Sequence, residues 1–182
     1  MRVIGLAGWS GAGKTTLLLK LIPELARRGL AISTLKHAHH AFEVDEPGKD
    51  SFEHRAAGAC EVLVASERRW ALMHELRGAP EPGLAELLSR LSPADLVIVE
   101  GFKAAAHPKI EVHRAANGKP FLFPEVQSVR AIAADGPVPD ASVPVLPLDD
   151  VAAIADAVLA LSEPLPDVIA AIEAAPPART RR

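Results

Sequence analysis

The run Gly8-Trp9-Ser10-Gly11-Ala12-Gly13-Lys14-Thr15 constrains this chain more than any other stretch, because it satisfies G-x-x-x-x-G-K-[ST] together with the flanks that pattern requires. Before it, Val3-Ile4-Gly5-Leu6-Ala7 is apolar without polar alternation, as in a parallel strand covered on both faces. After it, Thr15 to Arg28 has helical composition, with Gly29 as a natural stop and Pro23 as a place where the helix could kink. Glycines open backbone conformations closed to other residues, so successive N–H groups can turn inward on phosphate oxygens while the helix N-terminus adds partial positive charge. Gly8, Ser10, Gly11, Ala12 and Gly13 supply that cradle, and Thr16 follows it into the helix. Lys14 would place an ammonium between the β and γ phosphates, and the Thr15 hydroxyl would complete part of a magnesium shell.

Strands alternate with helical patterns along the rest of the chain, which implies an α/β fold: a three-layer P-loop NTPase fold with a mainly parallel sheet flanked by helices. Ala31 to Lys36 reads as a second strand, Leu96 to Val99 as the most strand-like run, and Lys109–His113, Val129–Ala133 and Val143–Leu146 as shorter ones. Glu61–Ala65 and Trp70–His74 look like a hairpin turned at Glu67-Arg68-Arg69, which would make the sheet mixed. Ser51 can cap a short helix through Ala59, Gly83 to Leu91 carries a helical leucine stripe, and Asp149 or Asp150 can cap a helix ending at Leu161. Residues 1–162 are read as one P-loop domain, since 182 residues with 49% apolar content suffice for one core. Residues 163–182, rich in Ala, Pro and Arg, read as a loosely held tail.

Charge and composition narrow the function classes. Twenty basic against 23 acidic side chains give a formal net charge of −3, too little positive field to hold nucleic acid. No apolar run reaches the roughly 18 residues a membrane span needs. The single cysteine, Cys60, cannot form an internal disulfide, and the opening residues soon meet Lys14 instead of forming a signal peptide, which points to a reducing, cytoplasmic setting.

Two further clusters carry chemistry. In P-loop proteins a second strand delivers a carboxylate near the metal, and only the C-terminal end of a parallel strand faces the ligand crevice. Glu100 stands at that end of the Leu96–Val99 run, where it could hold magnesium or orient water, whereas Asp95 at the far end is better placed to cap a turn. The segment after the second strand holds Lys36, His37, His39, His40 and Asp50. Lys36 could bind phosphate or a carboxylate and Asp50 could ligate magnesium or orient water, although a charged loop can equally be solvated. Three histidines in four residues suggest zinc by type, but they lack the helical His-x-x-x-His spacing and have no nearby cysteine, so solvated or substrate-facing histidines are the ordinary alternative.

The P-loop at the start, Lys36-His37, Asp45, Pro47-Gly48-Lys49-Asp50-Ser51, Ala57-Gly58-Ala59 and Val99-Glu100-Gly101-Phe102-Lys103 together resemble the MobB family, in order of elements from about Val3 to Leu161. The resemblance implies a fold similar to the signal-recognition and MinD class of P-loop GTPases, GTP bound with magnesium and hydrolysed weakly, and a homodimer. It further implies a role in molybdenum-cofactor biosynthesis beside the MobA guanylyltransferase, which joins GMP to molybdopterin, and other enzymes of that pathway. By the same resemblance Gly11, Gly13, Lys14, Thr15 and Thr16 bind GTP, with Asp50 and Glu100 the acidic positions around the metal; Lys14, Asp50 and Glu100 are then the candidate catalytic residues. No Asn-Lys-x-Asp run reads the guanine base, Asn117-Gly118-Lys119-Pro120 being only superficially similar, which leaves Asp135 or backbone groups after a late strand as candidates. The same P-loop also admits a small-molecule or nucleoside kinase, a metallochaperone GTPase using the histidines, or a nucleotide-binding scaffold without useful hydrolysis.

Overall fold

Strand β1 (Arg2–Ala7) is buried from Val3 to Ala7 and lies inside the sheet of its unit. A computed structural model describes residues 1–38 and 42–175, and the chain divides into two compact units, Met1–His37 with Leu84 onward, and Ala38–Gly83. In the first unit, β2 (Ile32–Lys36), β5 (Leu96–Glu100), β1, β6 (Lys109–His113), β7 (Val129–Ala134) and β8 (Val145–Pro147) lie side by side in that order, all parallel. Strands β1 from Val3 and β5 as far as Val99 are apolar because both sheet faces are covered.

Alternation along the strands distributes side chains between two cores. Ile4, Leu6, Leu96, Ile98 and Ile110 pack on one face with helices α1 (Lys14–Arg27) and α4 (Val151–Leu161). Val3, Val97 and Val99 pack on the other with α3 (Leu84–Ser89) and α5 (Leu165–Ala174). Helix α1 buries Leu17, Leu18, Leu21 and Leu25, each contributing roughly 1.5 to 3 kcal/mol. Pro23 lies on its exposed side and the helix runs on through it. Asp150 caps α4, its Oδ1 accepting from the Ala153 N–H at 3.0 Å.

Strand β6 and the residues leading into it carry an unusual buried polar row. His107, just before the strand, and Lys109 and Glu111 on it are all fully buried. Lys109 Nζ donates to the carbonyls of Ala105 and His107 and to Ser128 Oγ, and burial pushes its ammonium down to about 7. Glu111 accepts from the N–H groups of Leu122 and Phe123 at 2.7 and 2.9 Å, while burial raises its pKa.

The second unit contains α2 (Asp50–Ala56) packed on β3 (Glu61–Ala65), which pairs antiparallel with β4 (Trp70–His74). Arg55 on α2 bonds Asp45, Glu43 and Glu75 and lies over the Phe52 ring, tying the helix to the segments before and after it.

Three expectations are corrected. The hairpin forms its own two-stranded sheet; the main sheet is mixed because β9 (Glu163–Pro164) pairs antiparallel with Arg2 and Val3 at the start of β1. The expected loose tail from 163 is structured as far as Ala174, with Val168 buried in the second core. Ser51 lies inside α2, whose capping position is held by Lys49. No helix among the described residues is long and apolar enough to cross a membrane.

Candidate functional site

Parallel pairing brings the carboxyl ends of β1, β2 and β5 to one edge of the sheet, with Glu100 in register with both Leu6 and Lys36. The phosphate loop leaves β1 at that edge. Gly8 has φ 144°, and a Cβ there would stand 2.4 Å from the Val112 carbonyl oxygen of β6, so only glycine lets the loop pass. The loop enters α1 through Gly13 in the left-handed region, and the first intrahelical bond is Leu17 N–H to Gly13 O at 2.8 Å. The N–H groups of Lys14, Thr15 and Thr16 therefore precede the helical ladder and are free to meet an anion at the helix end.

Lys14 Nζ donates to the carbonyls of Gly8 and Trp9, both at 3.0 Å, so its ammonium sits on the mouth of the loop. Burial lowers its pKa, Glu100 opposes that shift, and Lys103 and Lys36 add to it. Thr15 Oγ1 donates to Glu100 Oε1 at 3.1 Å, bringing together a hydroxyl and a buried carboxylate from two elements 85 residues apart. These oxygens are the ligand type a magnesium ion takes, and the amides with Lys14 are the donor set a polyphosphate takes. The residues present thus fit a magnesium nucleotide.

Of the residues singled out in the sequence, Gly8, Ser10, Gly11, Ala12, Gly13, Lys14, Thr15, Thr16, Lys36 and Glu100 lie at this edge of the first unit. Asp50 belongs to the second unit, where it opens α2. His37 continues β2, its N–H donating to Glu100 O at 2.9 Å, and its ring stacks on Phe102 at 4.5 Å. His39 and His40 lie outside the described residues, and among the described residues no group of three or more His, Cys, Asp or Glu side chains gathers as a metal site. Asp95 accepts from the Ala31 N–H at 2.8 Å and so fixes the entry to β2, the turn role expected of it.

Sequence reasoning missed the clasp on the outer side of the loop. Asn117 Nδ2 donates to Ser10 O at 2.9 Å, Trp9 Nε1 donates to Pro120 O at 2.8 Å, and the Arg114 guanidinium stands beside Gly13. Asn117 is thereby engaged in holding the loop. Asp135 accepts from the Ala115 N–H at 2.7 Å and pairs with Arg114 at 3.4 Å, which braces the same turn. The resemblance of Asn117-Gly118-Lys119-Pro120 to a base-reading run was the one signal pointing here.

Residues 3–135 match the family model described as MobB, Molybdopterin guanine dinucleotide synthesis protein B. The chain is 45% identical over 160 residues to the molybdopterin-guanine dinucleotide biosynthesis adapter protein of Escherichia coli (strain K12), covering 86% of this chain and 91% of that one. Its counterpart in Haemophilus influenzae is 44% identical over 140 residues, 75% of this chain and 76% of that protein. A crystal structure of molybdopterin-guanine biosynthesis protein B superposes with a TM-score of 0.69 at 28% identity, covering 87% of this chain and 99% of that chain.

Proposed function

Since this chain belongs to the MobB family, we propose that it is a GTP-binding adapter of molybdopterin guanine dinucleotide biosynthesis that hydrolyses GTP slowly and works beside a MobA-like guanylyltransferase. The observation that carries the nucleotide reading is the Thr15–Glu100 contact at 3.1 Å, directly beside the Lys14 ammonium and the free amides of the α1 N-terminus. The relatives' names, at 45% and 44% identity, support the pathway.

In this reading the cradle amides from Gly11 to Thr16 hold the phosphates, and Lys14 turns from the loop carbonyls to the β and γ oxygens. Thr15 and Glu100 would hold magnesium, with Lys36 on the neighbouring strand; the ion, when bound, neutralises charge developing on the phosphates. Glu100 also suits orienting a water at the γ-phosphate. Slow hydrolysis is the expectation the family likeness carries, and nucleotide state would be read out by partners.

A homodimer belongs to the same proposal. On one face of the hairpin, Leu63 pairs with Leu72 and Ala65 with Trp70, and these large apolar side chains are 60%, 46% and 64% exposed for Leu63, Leu72 and Trp70. A lone two-stranded sheet is marginal in water, so an apolar face of this kind is best accounted for by a second copy covering it.

Equilibrium binding of GTP, GDP and ATP with magnesium tests the reading. Wild type is expected to prefer guanine nucleotides, and Lys14→Ala to weaken GTP roughly 100-fold by removing a charge-assisted contact. Normal affinity in Lys14→Ala would remove the phosphate-site assignment, and a preference for ATP would remove the guanine one.

A further inference from the structure

Lys103 stands three residues beyond Glu100 and has no role in the site as described so far. The chain leaves β5 through a sharp turn: Gly101 has φ 103°, and a Cβ there would fall 2.7 Å from the His37 Cβ. Phe102 follows at φ 48°, a left-handed conformation that a bulky residue keeps only when its surroundings hold it. The hold is the His37 ring stacked on Phe102. This turn delivers the Lys103 ammonium back over the phosphate loop, onto the indole of Trp9, 4.5 Å from the ring centroid. Trp9 cannot drift, because its own N–H is tied to Pro120 O at 2.8 Å.

The Lys36 and Lys103 ammonium groups both act on that of Lys14, and Glu100 is the carboxylate that opposes them. Lys14 and the loop amides already suffice for the inner phosphates of a nucleotide. A lysine resting on an aromatic face holds a weak, easily exchanged contact, whereas a lysine on a phosphate oxygen holds a charge-assisted hydrogen bond. Resting on the nucleotide-binding reading above, we infer that Lys103 is a second phosphate-contacting lysine, which exchanges the Trp9 ring for the terminal phosphate of a nucleoside triphosphate and so distinguishes triphosphate from diphosphate.

Trp9 makes the exchange visible, since a cation leaving an indole face changes its emission. In a Trp70→Phe background, where Trp9 is the only indole, magnesium with a non-hydrolysable guanosine triphosphate analogue should alter the emission while GDP leaves it near the nucleotide-free value. Lys103→Met should abolish that difference, weaken the triphosphate analogue about tenfold or more and leave GDP affinity within about threefold, with Lys103→Arg restoring much of the loss. Equal losses for both nucleotides would reduce Lys103 to a support of the loop, and unchanged affinities would remove it from the site; either result overturns the inference. If the protein bound neither nucleotide, or bound both normally as Lys14→Ala, the phosphate-site reading itself would fail and the inference with it.

Discussion

His107 is fully buried against Gly5, where a Cβ would come within 2.4 Å of its Nε2, and neither ring nitrogen has a hydrogen-bond partner among the described residues. Burial first, and then the adjacent Lys109, push its pKa from 6.5 down to about 3. In the folded protein the ring stays neutral through that interval, while in the unfolded chain it takes up a proton below 6.5. The unfolded state therefore binds more protons between pH 6.5 and 3, and folding stability falls as the pH is lowered through that window. The shift corresponds to a loss on the order of 5 kcal/mol at most. Denaturant titrations at pH 7, 5 and 4 should show this decline in wild type and a flatter profile in His107→Leu; parallel profiles would place the acid sensitivity elsewhere. The phosphate-loop residues were legible in the sequence because Gly8, Gly13 and Lys14 are dictated by backbone geometry and charge at fixed spacing. His107, Trp9 and Lys103 were not, because their environments are made by chain segments that meet only in the folded sheet.

Elements divide the same way. Capping is local, and Asp149 or Asp150 before an apolar run announced α4, with Asp150 making the cap in the fold; Asp150→Ala should lower stability by about 1 kcal/mol in urea unfolding, with Asp149→Ala near neutral as the control. A larger effect at Asp149 would mean that the cap is assigned to the wrong residue. Helix α5 was hidden by its prolines, which read as breakers. Pro164 precedes that helix, and Pro166 falls in its first turn, where no N–H is required by the ladder. Ser51 was a plausible cap by type, but the helix begins one residue earlier, so the serine stands inside the first turn. The β3–β4 pair was legible as a hairpin, while its separation from the main sheet was not, since an alternating strand carries no mark of which neighbour it will lack.

For the whole molecule, the division into two units allows association and nucleotide binding to be tested apart. Leu63→Lys with Leu72→Glu places opposite charges directly across the hairpin, preserving the pair while removing its apolar face. Sedimentation should then give the monomer mass, against the dimer mass expected of wild type, with unchanged far-ultraviolet circular dichroism; a persistent dimer would move the interface elsewhere. The α/β class was legible because buried parallel strands and their connecting helices are written in local pattern, but strand order was not. That order has a consequence for synthesis. Strand β1 occupies the middle of the sheet and is made well before its partners β5 and β6, which begin at Leu96 and Lys109. At the usual pace of translation β1 waits about 5 to 20 s for its first neighbour. Throughout that interval Val3 to Ala7 is an unpaired apolar strand, so the nascent chain passes its most adhesive segment into the cell well before the partners that will cover it.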